Sequence, residues 1–557
     1  MRLGLKSLCY CFYCLLFFGF IAFYSMFTRV KSPSPKILYT NVQIPNYILT
    51  YSNQSFETTI ECRGHPYNQS CLFKNLYYTD SQFIVLTVNG SYLPSYSVKT
   101  NMFDYEGILP AKRVFSTYSQ LETFVQYTIH PTVIPSLTLH FHQLWHHNIG
   151  HALFDGLYPA YVGLIRFSPK HLQPFRILAG IDNCDTCWSE NVYSRFGGLG
   201  LLKLDVLKAM SITRWFMFEE LVMGGGVMCQ RCTQPNLQLS GGVELDAARL
   251  FRDRMYRQHG LLPVIVRKNS SAQHRTSRDI LQAFIIDNKR YTDEDRKQLN
   301  DAISAINNYT FSFRNQTIKL QWPLINVTYL HYGDIKPQQS PIEINATKTS
   351  IHSSADELIE NNFIAQLKIL HQMDIHISGP GTGQMYQTLL SDGSVNINLG
   401  GLGPVDHKKG NNYSYASFME QHMTSGAPYI KGFYYPINER SKGIKTSEVV
   451  NLIRQAGQLI LDGFSIPVNP RENLAADGQL FVEMCQEDKA FCSLVTTRSG
   501  KTSGFCLNLW VEDFVHENGQ WSEAGLADSG KNISCPFNHT LLRELRIKYN
   551  IKHNLGP

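Results

Sequence analysis

The chain has 557 residues, 43% of them hydrophobic and 17% charged, with a formal net charge of +6. That length exceeds one compact core, and so apolar a composition excludes a disordered stalk; two domains with appendages are expected. With no Lys/Arg cluster to concentrate it, the small positive charge excludes an electrostatic footprint for nucleic acid.

The run from Leu8 to Phe27 (LCYCFYCLLFFGFIAFYSMF) carries no charge, and as a helix of roughly 20 residues it matches the ~30 Å hydrocarbon core of a bilayer. Ala22, Phe23 and Tyr24 give no A-x-A cleavage pattern, so the segment reads as a retained signal anchor. Flanking charge does not orient it, because Arg2 and Lys6 face Arg29, Lys31 and Lys36 across it. Acceptor sequons orient it instead. They begin at Asn53, Asn68, Asn89, Asn269, Asn308, Asn315, Asn326, Asn345, Asn412, Asn532 and Asn538, and they predict a glycosylated, lumenal body.

Cysteine usage agrees. Cys9, Cys11 and Cys14 lie in the apolar run as palmitoylation candidates, leaving an even set at 62, 71, 184, 187, 229, 232, 485, 492, 506 and 535. Close spacing suggests Cys62 with Cys71, Cys485 with Cys492 and Cys506 with Cys535. Cys184-x-x-Cys187 and Cys229-x-x-Cys232 have zinc-ribbon spacing, but in an oxidising lumen they read as disulfides.

After a Pro/Ser stem, strands are predicted at Phe83 to Val88 and Leu137 to Phe141, and a helix from Asn148 to Arg166. Near Gly260 the pattern restarts with a buried strand, Leu262 to Arg267, and a helix at Thr276 to Ile286. The sequon-bearing span Thr310 to Ile351 is expected to be an insertion outside the core. A helix from Ser354 to His371, a strand from Asp374 to Ser378, a Gly-rich turn, a helix from Thr382 to Leu390 and a strand from Ser394 to Leu399 follow. Helices alternating with buried strands predict an α/β fold on a parallel sheet. The last hundred residues read as a Cys-containing, disulfide-pinned extension.

Three clusters carry candidate chemistry. Gly379-Pro380-Gly381-Thr382-Gly383 lies between strand and helix, where glycines admit close backbone approach and a helix start offers free N–H groups to an anion. Its spacing is not the dinucleotide fingerprint, and Asn396 and Asn398 stand where that fingerprint places an acid. The second cluster is His147, Asn148, His151 and Asp155; helical spacing puts the two histidines and the aspartate on one face, suited to a general base or to core hydrogen bonds. No His-Glu-x-x-His arrangement points to zinc. Third, Arg267 and Arg275 follow a buried strand, where a diphosphate partner belongs. Glu219 and Glu220 are adjacent and read as a structural pair rather than as glycosidase carboxylates.

These blocks resemble glycosyltransferase family 61. The resemblance rests on Trp145-His146-His147-Asn148-Ile149-Gly150-His151-Ala152-Leu153-Phe154-Asp155, on Val264-Ile265-Val266-Arg267 with its downstream arginine, and on Gln366 to Leu399 with its HISGPGTGQMY core. It implies two facing Rossmann-like domains of the GT-B type, an inverting mechanism, and a nucleotide-sugar donor held without an obligatory metal. Carried over, Arg267, Arg275, Gly379, Gly381, Thr382 and Gly383 meet the donor diphosphate. His147, Asn148, His151 and Asp155 face the acceptor, with His151 as base. The Gly-Pro-Gly-Thr-Gly loop and the asparagines on the next strand depart from the family's Gly-Ala-Gly loop and acidic residue, which leaves the donor open.

The expected layout is a cytoplasmic tail (1–7), an anchor (8–27) and a stem (28–60), then an N-terminal Rossmann-like acceptor domain (61–245), a C-terminal Rossmann-like donor domain (246–440) and the extension (441–557). The expected function is a single-pass type II transferase of the Golgi or endoplasmic reticulum membrane. It would move xylose or N-acetylglucosamine from a UDP-sugar to a protein or glycan hydroxyl. The alternative is a non-catalytic lumenal or surface glycan-binding protein, or an inactive transferase fold.

Overall fold

A computed structural model describes residues 55–63, 69–100, 108–143, 149–181, 188–225, 247–262, 279–331, 355–379, 382–402, 413–414, 429–440, 442–463 and 538–548, with isolated positions near 485. Two sheets organise them. The first contains β1 (Thr59–Arg63), β2 (Ser70–Thr79), β3 (Gln82–Val88), β4 (Ala111–Phe115), β5 (Thr132–Gln143), β6 (Phe175–Ile181), β7 (Gly198–Lys203) and β8 (Phe216–Met223). Its order is β4-β3-β2-β8-β5-β6-β7, with β1 beside β2. The β8-β5-β6-β7 half is parallel, whereas β2 runs against β1, β3 and β8. Cys62 faces Cys71 in the β1/β2 register, and there the predicted disulfide forms.

From β5 the chain enters a helical run made of Ile149–His151, a π-helical stretch Ala152–Leu157, and Tyr158–Ile165. All eight residues of the last stretch are buried, so this helix has no polar face to give to solvent. Two glycines let it settle onto the sheet. A Cβ at Gly156 would meet the Phe141 ring at 2.6 Å, and one at Gly163 would meet the Gly224 carbonyl oxygen at 2.3 Å.

The second sheet contains β9 (Leu281–Ile286), β10 (Ile325–Leu330), β11 (Ile375–Ser378), β12 (Val395–Asn398) and β15 (Lys431–Tyr434), while β13 (Gly401–Leu402) and β14 (Tyr413–Ser414) form a separate ribbon. Its order is β10-β9-β11-β12-β15, every pair parallel. In chain order the strands run 2-1-3-4-5, a doubly wound arrangement with its topological switch point between β9 and β11. Helices Asp293–Phe313 and Thr446–Asp462 bury Leu299, Ala302, Ile306, Val449, Leu452 and Ile453 on one face. Helix Ala355–Gln372 brings Phe363, Leu367 and Leu370 to the other side.

Two expectations are corrected. The stretch read as a helix at Thr276 to Ile286 contains β9. Leu281, Ala283 and Ile285 face one core and Phe284 and Ile286 the other, the two-residue alternation of a strand buried on both faces. Thr310 to Ile351 is not wholly an insertion. Thr310 is buried, its Oγ1 donates to the Ile325 carbonyl and accepts from the Ile325 amide, and Ile325–Leu330 is the edge strand β10. A third segment is modified rather than overturned, because the helix after the Gly-rich turn is α-helical only over Thr382–Met385 and continues as a 3₁₀ turn, Tyr386–Leu389. Thr388 Oγ1 donates to the Met385 carbonyl and the Tyr429 hydroxyl to the Thr388 carbonyl, so side chains compete for the acceptors that an α-turn would use.

Helix Ala247–Gln258 ties the two sheets into one core. Phe251 sits in an aromatic cluster with Phe154, Tyr158, Tyr161 and Phe196, and Arg254 donates to the carbonyls of Phe196, Gly197 and His171. From the same helix Arg252 reaches Asp392 at 2.7 Å and the Leu390 carbonyl at 2.9 Å, while the Tyr256 hydroxyl donates to Leu389 and Leu367. Among the described residues no helix is long and apolar enough to cross a membrane; the predicted anchor, Leu8 to Phe27, lies outside them.

Candidate functional site

In a doubly wound sheet the loops at the carboxyl ends of the strands form the ligand crevice, and the switch point opens it. Here the loop after β9 begins at Asp287 and Asn288, the loop after β11 at Gly379, and the loop after β12 at Leu399 and Gly400. These three loops meet at Gly379. A Cβ there would lie 2.9 Å from Cε1 of Tyr291, 3.1 Å from Nδ2 of Asn288 and 3.1 Å from the carbonyl oxygen of Gly400. Glycine is needed at this position for space. Gly383 is different, since its nearest contact would be an ordinary 3.4 Å.

The Thr382–Met385 turn leaves this loop and packs beside the Ile149–His151 turn, which follows the carboxyl end of β5. Ile149, Phe154, Met385 and Tyr386 belong to the same apolar cluster. The Gly-rich turn and the helix bearing His151 and Asp155, more than two hundred residues apart, are thus neighbours. The π-helical stretch begins at Ala152, and such single-turn insertions are frequent at functional sites. His147, Asn148, Arg267, Arg275 and Gly381 lie outside the described residues, as do the two CxxC pairs and the remaining predicted disulfides.

No protein-family model matches the chain, and no curated protein matches it.

Beneath the Gly-rich turn lies a polar layer. β11 and β12 turn Ile375, Ile377, Val395 and Ile397 to one core, and their alternate residues His376, Ser378, Asn396 and Asn398 to the other side, all buried. His376 Nδ1 is 2.8 Å from Asn396 Oδ1, Ser378 Oγ donates to Gln384 Oε1, and Asn398 Oδ1 accepts the Gly400 amide at 2.9 Å. Of the two asparagines noted in the sequence, Asn398 thus braces the loop after β12 and Asn396 ties β12 to β11. Burial holds the His376 imidazole down to about 4, outweighing its Asn396 partner, so it is neutral at neutral pH.

A buried ion pair fixes the loop after β12. The Arg440 guanidinium forks onto Asp295 with contacts of 3.1 and 3.0 Å, and its Nε donates to the Leu399 carbonyl at 2.8 Å. Asp295 is the N3 residue of a capping box with Thr292 that starts helix Asp293–Phe313, and it also accepts the Ile444 amide. Burial works to raise its carboxyl, but the Arg440 fork and these amides hold it below the usual range.

Five residues of this region are not singled out by any sequence motif above: Asp287, Tyr291, Asp295, His331 and Arg440. Asp287, at the end of β9, accepts from the Tyr329 hydroxyl and from Arg296 Nε and lies 3.1 Å from His331 Nδ1. Burial works to raise its carboxyl, and these donors bring it below the ordinary value. Tyr291 is buried, and its hydroxyl has no hydrogen-bond partner among the described residues. The Thr292-x-x-Asp295 box was a usable signal for the helix start; nothing local marked His331 or Arg440. Elsewhere, Glu220 is held by Lys170 Nζ at 2.6 and 2.8 Å and Glu219 accepts the Ser136 amide at 2.6 Å, uses that fit a structural pair. Among the described residues no group of three or more His, Cys, Asp or Glu could hold a metal ion.

Proposed function

We propose that the chain is an inverting glycosyltransferase of the GT-B type and of the family 61 kind. It would be anchored in the Golgi or endoplasmic reticulum membrane by Leu8 to Phe27, and would transfer xylose or N-acetylglucosamine from a UDP-sugar to a protein or glycan hydroxyl. The observation that carries this reading is the meeting of the Gly379 loop, at the switch point of the second sheet, with the helix that bears His151 and Asp155 from the first. A transferase of this class needs a donor crevice and a base on its opposite wall, roles that this reading gives to the Gly379 loop and to His151. Arg267, Arg275 and Gly381 complete the donor side in this reading, and His147 and Asn148 the acceptor side.

Supporting the lumenal body, the Cys62–Cys71 disulfide is present, and the sequon asparagines among the described residues, Asn89, Asn308, Asn315, Asn326 and Asn538, are all exposed.

The test is a thermal-shift screen of the full chain in detergent against UDP- and GDP-sugars, followed by UDP release with candidate acceptors. A UDP-sugar is expected to raise the melting temperature by mass action. No shift with any sugar nucleotide would sink the proposal in favour of a glycan-binding role.

A further inference from the structure

We propose that the carboxyl edge of β9 and β10 is the subsite for the ribose hydroxyls of the donor nucleotide, with His331 as the group that receives them and Asp287 as the residue that positions it. The inference rests on the donor reading above and adds residues that the sequence motifs do not contain.

Three observations converge. First, the place is right. Asp287 follows β9 and His331 follows β10, so both stand on the edge where doubly wound sheets bind ligands, and Asn288, next to Asp287, lies against Gly379 at the switch point. Second, the imidazole is held but not consumed. Its Nδ1 is 3.1 Å from Asp287 Oδ2, the Tyr329 ring stands edge-on at 5.5 Å, and the side chain remains 50% exposed. With Nδ1 turned to the carboxylate, the ring's Nε2 is left to meet a hydroxyl. Asp287 is suited to that task, since Tyr329 and Arg296 fix its other oxygen. Third, a buried donor nearby is unmatched. The Tyr291 hydroxyl, 3% exposed beneath Gly379, lacks a partner among the described residues. Buried hydroxyls usually pair because each carries a desolvation penalty; of the three without a partner among the described residues, those of Tyr78, Thr138 and Tyr291, only that of Tyr291 belongs to a side chain lying against Gly379, where an oxygen of the ligand, or a water that the ligand orders, would meet it. The phenol is also pushed well above its usual value by burial, which keeps its proton available.

A diol is the chemistry that fits an imidazole Nε2 and a neutral phenol donor, and Arg296, the cation of this network, is taken up by Asp287 and Asp293. The experiment uses the full chain in detergent and isothermal titration with UDP and with 2′-deoxy-UDP. The wild type is expected to favour UDP by roughly tenfold, the size of one hydrogen bond. His331→Ala is expected to bind the two nucleotides equally, with an unchanged melting temperature because the side chain is half-exposed. Tyr291→Phe is expected to weaken UDP binding severalfold without lowering the melting temperature. A His331→Ala variant that still prefers UDP overturns the subsite while leaving the donor reading intact. A wild-type chain that binds neither nucleotide overturns both.

Discussion

At the scale of single residues, the site depends on two positions with no freedom to change. Gly379→Ala introduces a methyl within about 3 Å of the Asn288 amide, the Tyr291 ring and the Gly400 carbonyl, contacts that cannot all relax because two belong to loops fixed from below. The expected result is a loss of nucleotide binding of tenfold or more by calorimetry, whereas Gly383→Ala, with ordinary spacing, should leave affinity within about twofold. Arg440 is the second. Removing it strands Asp295 in the core, and breaking a buried pair from one side costs about 3–5 kcal/mol. Arg440→Ala should therefore lower the denaturant midpoint sharply, and Arg440→Lys should recover little, because a point charge cannot reproduce the fork onto two carboxylate oxygens and a carbonyl.

At the scale of elements, helix Ala247–Gln258 joins the halves through Phe251 on one side and Arg252 and Tyr256 on the other. Phe251→Ala is expected to cost about 3–5 kcal/mol, measured by chemical denaturation, with one transition for both sheets; two separate transitions would show that the helix does not couple them. Legibility in the sequence follows the same physics. Strands at Phe83 to Val88 and Leu137 to Phe141, and the helix–strand–turn succession around Gly379, were readable because their apolar residues keep one period over a whole element. β9 was not. Four of its six residues are buried and Gln282 is its one polar side chain, too little to mark the alternation, so Leu281, Ala283, Ile285 and Ile286 mimic a helical stripe. At the site, glycine spacing exposed the turn, but His331, Tyr291 and Arg440 come together only through strand order, which no local pattern encodes.

At the scale of the whole molecule, the four buried histidines among the described residues make stability depend on pH. Burial holds His140 down to about 3, with the His142 charge adding to it, and His171, His259 and His376 to about 4. In the unfolded chain each titrates near 6.5. Above that pH all four are neutral in both states and stability is complete. As pH falls below about 6.5 the unfolded chain takes up protons that the folded chain refuses, and each histidine removes up to about 1.4 kcal/mol per pH unit until its folded value is reached. Urea midpoints at pH 7, 6 and 5 are expected to fall with increasing steepness, and His259→Gln should flatten that fall by about a quarter. A pH-independent midpoint would show that these rings are solvated.

Among the described residues β10 is the outer strand of the second sheet, paired with β9 on one side, and an outer strand can invite a neighbouring chain to add to the sheet. Asn326 stands on that strand, exposed, with its Nδ2 only 3.2 Å from Gln282 Oε1, and exposed Asn308 and Asn315 lie on or just after the helix that leads into it. Sugars attached there would act as a hydrated fence along that strand. Replacing all three asparagines with glutamine should then leave the monomer's melting temperature nearly unchanged while raising the fraction lost to aggregates during secretion.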